Sequence, residues 1–452
     1  MQIPSFKAYD LRGRIPDEIN EDIAYAVGAA YATWLEPRRV VVGRDIRLSS
    51  PAICEALTRG LLDCGVDVYD VGLCGTEVIY FATSAQSMDG GIMVTASHNP
   101  PDYHGMKFVR AESRPISADT GLLDIRRIAE SGRYSQTAKK GTRHSLDISG
   151  QYIEHLLSYI DLESLKALRI VVNAGNGGAG LVVDQLAPHL PFTFCRIHHE
   201  PDGTFPNGVP NPMLEPNRIA TSEAVVRERA DFGVAWDGDY DRCFLFDEQG
   251  RFIEGYYIVG LLAAAMLKVE HGARIVHEPR LTWATIDLVQ SLGGTPVLSK
   301  SGHAFMKAVM READAVYGGE MSAHHYFRRF AYCDSGQIPW LLVAQILSEA
   351  GQPLSALVAE RMEKFPVSGE INRRVADVAA TIAEVRARYE PHANSIDFTD
   401  GIALEFDRWR FNLRASNTEP LIRLNVESRG DAALMREKTA ELLTMIGGET
   451  DH

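Results

Sequence analysis

The sequence predicts a multidomain α/β protein, because apolar strands and helices alternate through most of the chain. At 452 residues, the chain is too long for a single hydrophobic core and suggests three or four domains. After Phe365 the pattern changes to one charged helix, closely spaced strands and a last helix. We therefore expect three α/β units followed by one α+β unit.

The first unit shows the alternation most clearly. Apolar runs predict strands at 40–43, 67–71 and 90–95, with a helix at 51–64. The polar stretch 131–143 then predicts the first linker.

The strand–helix order restarts twice after that stretch. In the second unit we predict strands at 168–173, 192–197 and Phe232–Trp236, with a helix at 181–189. The third unit begins with a helix at Gly255–Val269 and continues with strands at Arg274–His277 and Thr295–Leu298. The last unit holds a helix at Val378–Tyr389 and strands at 401–406, 409–414 and 421–426. The resulting domain boundaries are 1–148, 149–252, 253–366 and 367–452.

Composition limits the possible partners. The net charge of −14 argues against nucleic acid, since phosphate backbones require a basic face. It leaves room for a small anionic ligand held by arginines in a cleft. The longest apolar stretch, 256–269, is too short to span a bilayer.

The N-terminus and the cysteines indicate the compartment. No basic region followed by an apolar run opens the chain, so we predict no secretory signal. Six cysteines occur without a CxxC pair, which favours scattered reduced thiols over a metal site. We expect a cytoplasmic protein.

The first candidate for chemistry is Thr95-Ala96-Ser97-His98-Asn99-Pro100, the serine loop, at the carboxyl end of a buried strand. Ligands bind at that edge of open α/β sheets. Ser97 is a candidate nucleophile beside His98, with Lys107 ten residues on to neutralise charge. The alternative is a turn in which the polar side chains only cap backbone groups.

The second candidate is Asp237-Gly238-Asp239-Tyr240-Asp241, the acidic loop, which follows an apolar strand. Three carboxylates at alternate positions offer hard oxygen ligands suited to Mg²⁺. The run is unlike a calcium-binding EF-hand loop, because Arg242 stands where that loop requires glycine and the flanks predict strands.

A glycine-rich turn at 175–180 matches G-x-G-x-x-G between a strand and a helix, and Glu200 follows about twenty residues later. That pattern is typical of a dinucleotide site, so an NAD-dependent dehydrogenase is an alternative hypothesis. A purely structural helix–strand turn explains the glycines equally well.

Two further loops carry polar groups. Glu320 and Ser322, within Gly319-Glu320-Met321-Ser322-Ala323-His324, could bond adjacent sugar hydroxyls. Arg414-Ala415-Ser416-Asn417-Thr418, the Arg414 loop, joins two predicted strands, and its guanidinium, hydroxyls and amide could surround a phosphate.

Together these segments resemble the α-D-phosphohexomutase superfamily, most closely its bacterial phosphomannomutase/phosphoglucomutase group. TASHNP, DGDYDR, GEMSAH and RASNTEP stand in the family's order, and the match begins at Tyr9-Asp10-Leu11-Arg12-Gly13. The resemblance implies four domains around a central cleft, three related α/β domains and a C-terminal α+β domain. It also implies a monomer that binds a small phosphosugar.

The resemblance assigns roles to residues. Ser97 would carry the phosphoryl group, with Mg²⁺ held against it by Asp237, Asp239 and Asp241. His98, Lys107, Arg12 and Arg242 would surround the transferring group. The implied substrate contacts are Tyr9, Arg280, Ser301, Gly302, His303, Glu320, Ser322, His324, Arg414, Ser416, Asn417 and Thr418. The general base is left open between Lys107 and Arg12.

These roles imply interconversion of hexose 1-phosphate and hexose 6-phosphate through a phosphoserine and a hexose 1,6-bisphosphate. Phosphoryl transfer depends on positioning and charge neutralisation, which this residue set supplies. By resemblance the substrate is mannose or glucose, with mannose slightly preferred, in a bacterial polysaccharide pathway. A non-catalytic phosphosugar-binding protein is a further alternative, which the intact Ser97 and aspartates disfavour.

Overall fold

The computed structural model describes residues 2–416 and 421–450. The chain divides into two compact units, one comprising Met1–Phe252 with His324–Gly351 and the other Ile253–Ala323 with Gln352–His452. No single described helix is long and apolar enough to cross a membrane, and only Ile338–Ala350 taken together with Leu354–Lys364 reaches the length and composition of a span.

The first unit opens with a mixed sheet of seven strands. Its strands are β1 (Leu11–Arg14), β2 (Arg39–Arg44), β3 (Asp67–Leu73), β4 (Gly90–Val94), β5 (Tyr103–Arg110), β6 (Arg114–Pro115) and β7 (Arg143–Ser145). The accompanying helices are α1 (Glu21–Leu35), α2 (Ser50–Asp63), α3 (Thr76–Ala85) and α4 (Leu122–Ser131). The strand order is β1-β5-β4-β2-β3-β7, with β6 beside β5, and β4, β2, β3 and β7 run parallel. Their carboxyl ends therefore share one edge.

Close packing of α1 against α2 explains why each helix has a glycine at the contact. An added Cβ at Gly28 of α1 would lie 2.3 Å from the carbonyl oxygen of Leu57 in α2, and one at Gly60 would lie 2.3 Å from the carbonyl oxygen of Tyr25. The two helices touch backbone to backbone, which only glycine permits. Asn20 caps the start of α1, and its side chain accepts a hydrogen bond from the backbone N–H of Ile23.

The prediction of a linker over 131–143 is wrong at the C-terminal end of that segment. Its last residue begins β7, which pairs in parallel with β3 of the first sheet. The backbone N–H of Gly141 also donates to the carbonyl oxygen of Leu62 at 2.9 Å. The segment therefore runs back along the first sheet before the chain leaves it, a tertiary contact that its polar composition does not reveal.

The second sheet of this unit is smaller. Its region contains α5 (Ser149–Leu157), β8 (Arg169–Asn173), α6 (Ala179–Leu186), β9 (Thr193–Ile197), α7 (Ile219–Glu228), β10 (Phe232–Trp236) and β11 (Cys243–Phe246). The order is β11-β10-β8-β9, with β10, β8 and β9 parallel and β11 antiparallel. All five residues of β10 are buried, so its carboxyl end delivers the acidic loop directly from the sheet interior.

The second unit begins with a three-stranded parallel arrangement, β13-β12-β14. Its elements are α8 (Gly255–Val269), β12 (Arg274–His277), α9 (Trp283–Ser291), β13 (Thr295–Leu298), α10 (His303–Glu312) and β14 (Tyr317–Gly319). The chain then adds an antiparallel hairpin and a helix to the first unit: β15 (His325–Phe327), β16 (Cys333–Asp334) and α11 (Ile338–Ala350).

The chain ends in an antiparallel sheet of the second unit, as the sequence predicts for an α+β ending. Its elements are α12 (Leu354–Lys364), β17 (Ile371–Arg374), α13 (Val378–Tyr389), β18 (Ser395–Asp397), β19 (Ile402–Glu405), β20 (Trp409–Ala415), β21 (Leu421–Ser428), α14 (Ala432–Ile446) and β22 (Glu449–Thr450). The order is β18-β19-β20-β21-β17-β22. Short 3₁₀ turns lie at Ala111–Ser113, Ala118–Thr120, Leu162–Ser164, Ala187–His189, Glu215–Arg218, Arg328–Phe330 and Glu390–His392.

Candidate active site

The serine loop follows β4 at the shared carboxyl edge of the first sheet. Ser97 is 3% exposed and has a φ of 49°, in the left-handed region that non-glycine residues seldom adopt. Its backbone N–H donates to the Thr95 hydroxyl at 2.8 Å. Backbone strain of this kind is typical of functional loops whose surroundings hold them in place.

Arg47, which the sequence analysis did not identify, stabilises the conformation of the serine loop. Its guanidinium donates to the carbonyl oxygens of Ser97 (2.8 Å), Asn99 (2.6 Å), Pro100 (2.7 Å) and Tyr103 (3.0 Å). Arg47 is 2% exposed, so these bonds replace the water that its charge has lost. It follows the parallel strand β2, and the rule that placed Ser97 at the carboxyl edge would have found it too.

The Ser97 hydroxyl has two polar neighbours. It lies 3.0 Å from Asp237 Oδ2 and 3.0 Å from His98 Nδ1. Burial lowers the pKa of His98 well below its usual value, and the charges of Arg242 and Arg12 add to that effect. The imidazole is therefore neutral at pH 7. Either neighbour can exchange a proton with the serine oxygen.

The acidic loop lies in the turn between β10 and β11. Asp237, Asp239 and Asp241 are at most 2% exposed, and one carboxylate oxygen from each lies within 4.8 Å of the others. Lys107 Nζ donates to Asp239 Oδ2 at 2.7 Å and to Asp241 Oδ2 at 2.6 Å. The loop thus brings three carboxylates and one ammonium group together beside Ser97.

The electrostatics of this loop favour a further cation. Burial, together with the charges of Asp241 and Asp239, raises the pKa of Asp237 to about 7. Among the described residues, the Oδ1 atom of each aspartate is buried without a hydrogen-bond partner. Buried oxygens with unused lone pairs are costly unless something binds them. Hard carboxylate oxygens in this number suit a divalent cation such as Mg²⁺.

The acidic and serine loops are also packed against each other. A Cβ at Gly238 would lie 2.5 Å from the carbonyl oxygen of Ser97. Tyr240 has a φ of 44°, and its hydroxyl accepts the backbone N–H of Gly75 at 2.7 Å. The next residue, Thr76, donates its hydroxyl to Asp239 Oδ2 at 2.5 Å. The start of α3 therefore supports the acidic loop from behind.

Two predicted arginines border the site. Arg12 in β1 donates to Asn99 Oδ1 of the serine loop at 2.6 Å and to Asp10 at 2.5 Å. Arg242 Nε lies 3.2 Å from His324 Nε2 and 3.5 Å from Asp237 Oδ2. Both side chains are mostly buried, so their charges act through little water.

Tyr9 and His324, predicted as substrate contacts, also belong to the first unit. Tyr9 is half-buried in the bend before β1. His324 Nε2 is 3.5 Å from Asp241 Oδ1. With Asp334, which sequence analysis missed, His324 and Asp241 form a second group with ligand atoms within 4.8 Å of one another. His324 therefore lies at the acidic loop.

The second unit gathers another set of predicted residues around Glu278, which sequence analysis also missed. Glu278 accepts hydrogen bonds from the Ser301 hydroxyl (2.7 Å), the Met321 N–H (2.8 Å) and the Arg280 guanidinium. The Gly302 N–H, just before α10, donates to Glu320 Oε1 at 2.7 Å.

Arg280 and Ser322 belong to the same cluster. Arg280 Nη2 lies 3.4 Å from the Ser322 hydroxyl and 3.7 Å from Glu320 Oε1. His303 opens α10, directly after Gly302. Glu320 is 2% exposed, so it is held in a fixed position by these contacts.

Arg414 and Ala415 are the last two residues of β20, and Ser416 follows them. Arg414 Nη2 donates to Glu370 Oε2 at 2.9 Å, and Arg414 Nη1 lies 3.6 Å from Asp400. The Ser416 N–H donates to the carbonyl oxygen of Leu421 at 2.8 Å. The predicted contacts Asn417 and Thr418 lie outside the described residues.

The glycine-rich turn 175–180 packs on neighbouring loops. An added Cβ at Gly177 would lie 3.0 Å from the carbonyl oxygen of Gly238, and one at Gly178 would lie 2.8 Å from the Tyr240 ring. An added Cβ at Gly180 would lie 2.4 Å from the carbonyl oxygen of His199. Gly175 has a φ of 56°. These contacts account for the glycines by packing, including packing against the acidic loop.

Comparison with known proteins finds matches over nearly the whole chain. The chain matches the phosphoglucomutase/phosphomannomutase models for alpha/beta/alpha domain I at 4–135, domain II at 150–250 and domain III at 254–365, and for the C-terminal domain at 370–443. It is 58% identical over 448 residues to a protein named phosphohexose mutases from Xanthomonas campestris pv. campestris strain B100, covering 99% of this chain and 100% of the relative.

Two more matches extend over nearly the full chain. A phosphomannomutase of Escherichia coli is 56% identical over 453 residues, covering 98% of this chain and 99% of the relative. The crystal structure of a phosphoglucomutase/phosphomannomutase family protein from Burkholderia thailandensis is 31% identical, with a TM-score of 0.88 and 99% of each chain covered. None of these matches supports the dehydrogenase alternative.

Proposed function

The chain belongs to the phosphoglucomutase/phosphomannomutase family of isomerases, and from this premise we propose that it interconverts hexose 1-phosphate and hexose 6-phosphate through a phosphorylated Ser97. One observation carries the proposal: the buried Ser97 hydroxyl lies 3.0 Å from Asp237, within a loop that four hydrogen bonds from Arg47 hold in place.

The reaction has two halves. In the first, the bond between phosphorus and Ser97 Oγ breaks as a bond forms from phosphorus to the free hydroxyl of the sugar phosphate. The hydroxyl proton moves to Ser97 Oγ, and the product is a hexose 1,6-bisphosphate. The bisphosphate then turns over. In the second half the bond between the sugar oxygen and its original phosphorus breaks as a bond forms from that phosphorus to Ser97 Oγ, and the serine proton passes to the sugar oxygen that is released.

The chain's own charges stabilise the transferring group. Burial opposes the charge of Lys107, but Asp239 and Asp241 outweigh it and raise the pKa of Lys107, so the ammonium stays charged. Arg12 and Arg242 add two further cations at this site. Such fixed charges lower the barrier to phosphoryl transfer because they need no rearrangement during the reaction.

Asp237, Asp239 and Asp241 would hold Mg²⁺, whose charge would offset that of the phosphoryl oxygens when it is bound. The proton has two routes at Ser97 Oγ, since His98 Nδ1 and Asp237 Oδ2 are each 3.0 Å away. Either His98 or Asp237 is close enough to carry the proton to or from Ser97 Oγ.

We assign substrate recognition to the second unit. Glu320 and Ser322 would bond adjacent sugar hydroxyls, and Arg414 would bind the phosphate that is not being transferred. The hydrogen bond from the Gly302 N–H to Glu320, and the approach of Arg280 Nη2 to the Ser322 hydroxyl at 3.4 Å, support the assignment of Glu320 and Ser322. Mannose is the proposed preferred sugar, in line with the names of several close relatives.

The test compares turnover of mannose 1-phosphate and glucose 1-phosphate to the 6-phosphate, with Mg²⁺ and a trace of hexose 1,6-bisphosphate. We expect turnover of both and a higher kcat/KM for mannose 1-phosphate. Ser97→Ala should abolish turnover and the phosphoryl group seen by intact mass, while Ser131→Ala, on the exposed end of α4, should change neither. Full activity of the Ser97→Ala variant would refute the phosphoserine mechanism.

A further inference from the structure

Three arginines of the second unit converge on one carboxylate, that of Glu370. Glu370 Oε2 accepts hydrogen bonds from Arg414 Nη2 at 2.9 Å and from Arg280 Nη1 at 3.1 Å. Arg423 Nη1 lies 3.6 Å from Oε1. The Glu370 side chain is only 10% exposed, so the arginines face it across little water.

The arginines keep Glu370 ionised. Burial alone would raise the pKa of this carboxyl, but the charges of Arg280, Arg414 and Arg423 outweigh burial and lower the pKa to about 2. Glu370 is therefore an anion at neutral pH. It supplies the negative charge nearest to Arg414, since Asp400 is 3.6 Å from that guanidinium.

A carboxylate and a phosphate use the same features of arginine. Both accept charge-assisted hydrogen bonds from the guanidinium N–H groups, often in pairs. Glu370 occupies N–H groups of Arg414 and Arg280 that would otherwise be available to a sugar phosphate. A bound phosphate must therefore share these arginines with Glu370 or displace it.

We propose that Glu370 is a built-in competitor of the substrate's phosphate at Arg414 and Arg280. This inference rests on the proposed role of Arg414 in binding the phosphate that is not transferred. In that reaction the same residues bind first one phosphate of the sugar and then the other, so the first must be released. Glu370 offers the arginines a replacement partner at that moment and weakens phosphate binding in exchange for faster release.

Glu370 also joins two parts of the second unit. Arg280 lies in the segment that matches domain III, whereas Glu370, Arg414 and Arg423 lie in the segment that matches the C-terminal domain. The ion pair of Arg280 with Glu370 links these segments. A phosphate that takes Glu370's place would have to make this link itself.

A purely structural role makes the opposite prediction. If Glu370 only orients the arginines, removing its charge disorders them and weakens phosphate binding. If it competes, removing its charge frees them and strengthens binding by about tenfold, the value of one charge-assisted hydrogen bond. The sign of the change in affinity therefore separates the two roles.

The experiment measures binding of inorganic phosphate to the full chain by calorimetry, and kcat and KM for mannose 1-phosphate, in wild type and Glu370→Gln. Glu390→Gln is the matched control, because Glu390 pairs with Arg386 at 2.5 Å on an exposed face of the same region. We expect Glu370→Gln to bind phosphate about tenfold more tightly, with lower KM and lower kcat, and Glu390→Gln to match wild type.

Weaker or unchanged phosphate binding in Glu370→Gln would overturn the inference. Arg414→Ala separates this failure from failure of the proposed function. If Arg414→Ala leaves phosphate binding and KM unchanged, the assignment of Arg414 to substrate phosphate is wrong, and the competition inference falls with it. If Arg414→Ala weakens binding but Glu370→Gln does not strengthen it, only the competition is refuted.

Discussion

Replacing Gly238 by alanine should slow the isomerase far more than it destabilises the fold. The added Cβ would lie 2.5 Å from the carbonyl oxygen of Ser97, whereas ordinary contact begins at 3.4 Å. One loop must therefore move by about 0.9 Å. That same carbonyl oxygen is held by Arg47 at 2.8 Å, so the movement would pass to the acidic loop, the serine loop or both.

A displacement of about 1 Å between a nucleophile and its partners costs about 10²-fold in rate. This corresponds to about 2.7 kcal/mol of lost transition-state stabilisation. The φ of Gly238 is not in the left-handed region, so alanine adds no backbone strain of its own. We therefore expect kcat to fall about 10²-fold with KM nearly unchanged, because the residues assigned to sugar binding are not displaced.

The assay is steady-state turnover of mannose 1-phosphate with saturating Mg²⁺, together with thermal melting of each variant. Gly150→Ala is the control, since an added Cβ near the start of α5 would have no atom within 4 Å. It should retain wild-type kcat and melt no lower than wild type. A Gly238→Ala variant with wild-type kcat would refute the argument that contact between the two loops sets the position of Ser97.

Three further changes test other parts of the site. Arg47→Lys should lower kcat about 10- to 100-fold with little change in KM, because one ammonium group cannot donate to four carbonyl oxygens. A variant with wild-type kcat would contradict the positioning role of Arg47. Chelation of the metal ion should stop turnover. Added Mg²⁺ should raise the melting temperature of wild type but not of Asp239→Asn, because a cation bound only by the folded state stabilises that state. An equal rise in both proteins would exclude the acidic loop as the Mg²⁺ site. Glu77 is fully buried, and burial raises its pKa from 4.5 to about 8. Between pH 4.5 and about pH 8 the folded state retains a proton that the unfolded state loses. The free energy of unfolding therefore falls as the pH rises through this range. The difference in melting temperature between pH 5 and pH 8 should shrink in Glu77→Gln, and an unchanged difference would show that Glu77 does not titrate in this window.

Local sequence patterns predicted several strands and helices, whereas α1, α3 and β5 were not predicted. The strands Phe232–Trp236 and Arg274–His277 and the helix Gly255–Val269 have the predicted bounds, because each is a run of one periodicity ended by polar or glycine residues. The predicted helix at 181–189 is shifted: α6 covers Ala179–Leu186, and a 3₁₀ turn at Ala187–His189 follows. Pro188 has no N–H to continue the helical hydrogen bonds, a stop that the apolar pattern alone does not show.

Of the residues proposed to carry chemistry, too, some could be predicted from local patterns and others could not. Ser97 and the three aspartates could be found from sequence, because each follows a buried strand and parallel strands present their carboxyl ends at one edge. Lys107 was expected to neutralise charge, but only the structure shows that Asp239 and Asp241 are its partners. Its position in β5 gives no information on loops more than a hundred residues away.

The sequence by itself determined the alternation of strands and helices, the loops that carry the proposed reactive groups and the family to which the chain belongs. Only the tertiary structure identified Arg47, Glu278 and Glu370, since each acts on residues distant in sequence and none lies in a recognisable motif. The physical reason is that strand periodicity and loop composition are local properties. The pairing of buried charges depends on which distant segments pack together, and a buried charge is stable only where such a partner is found.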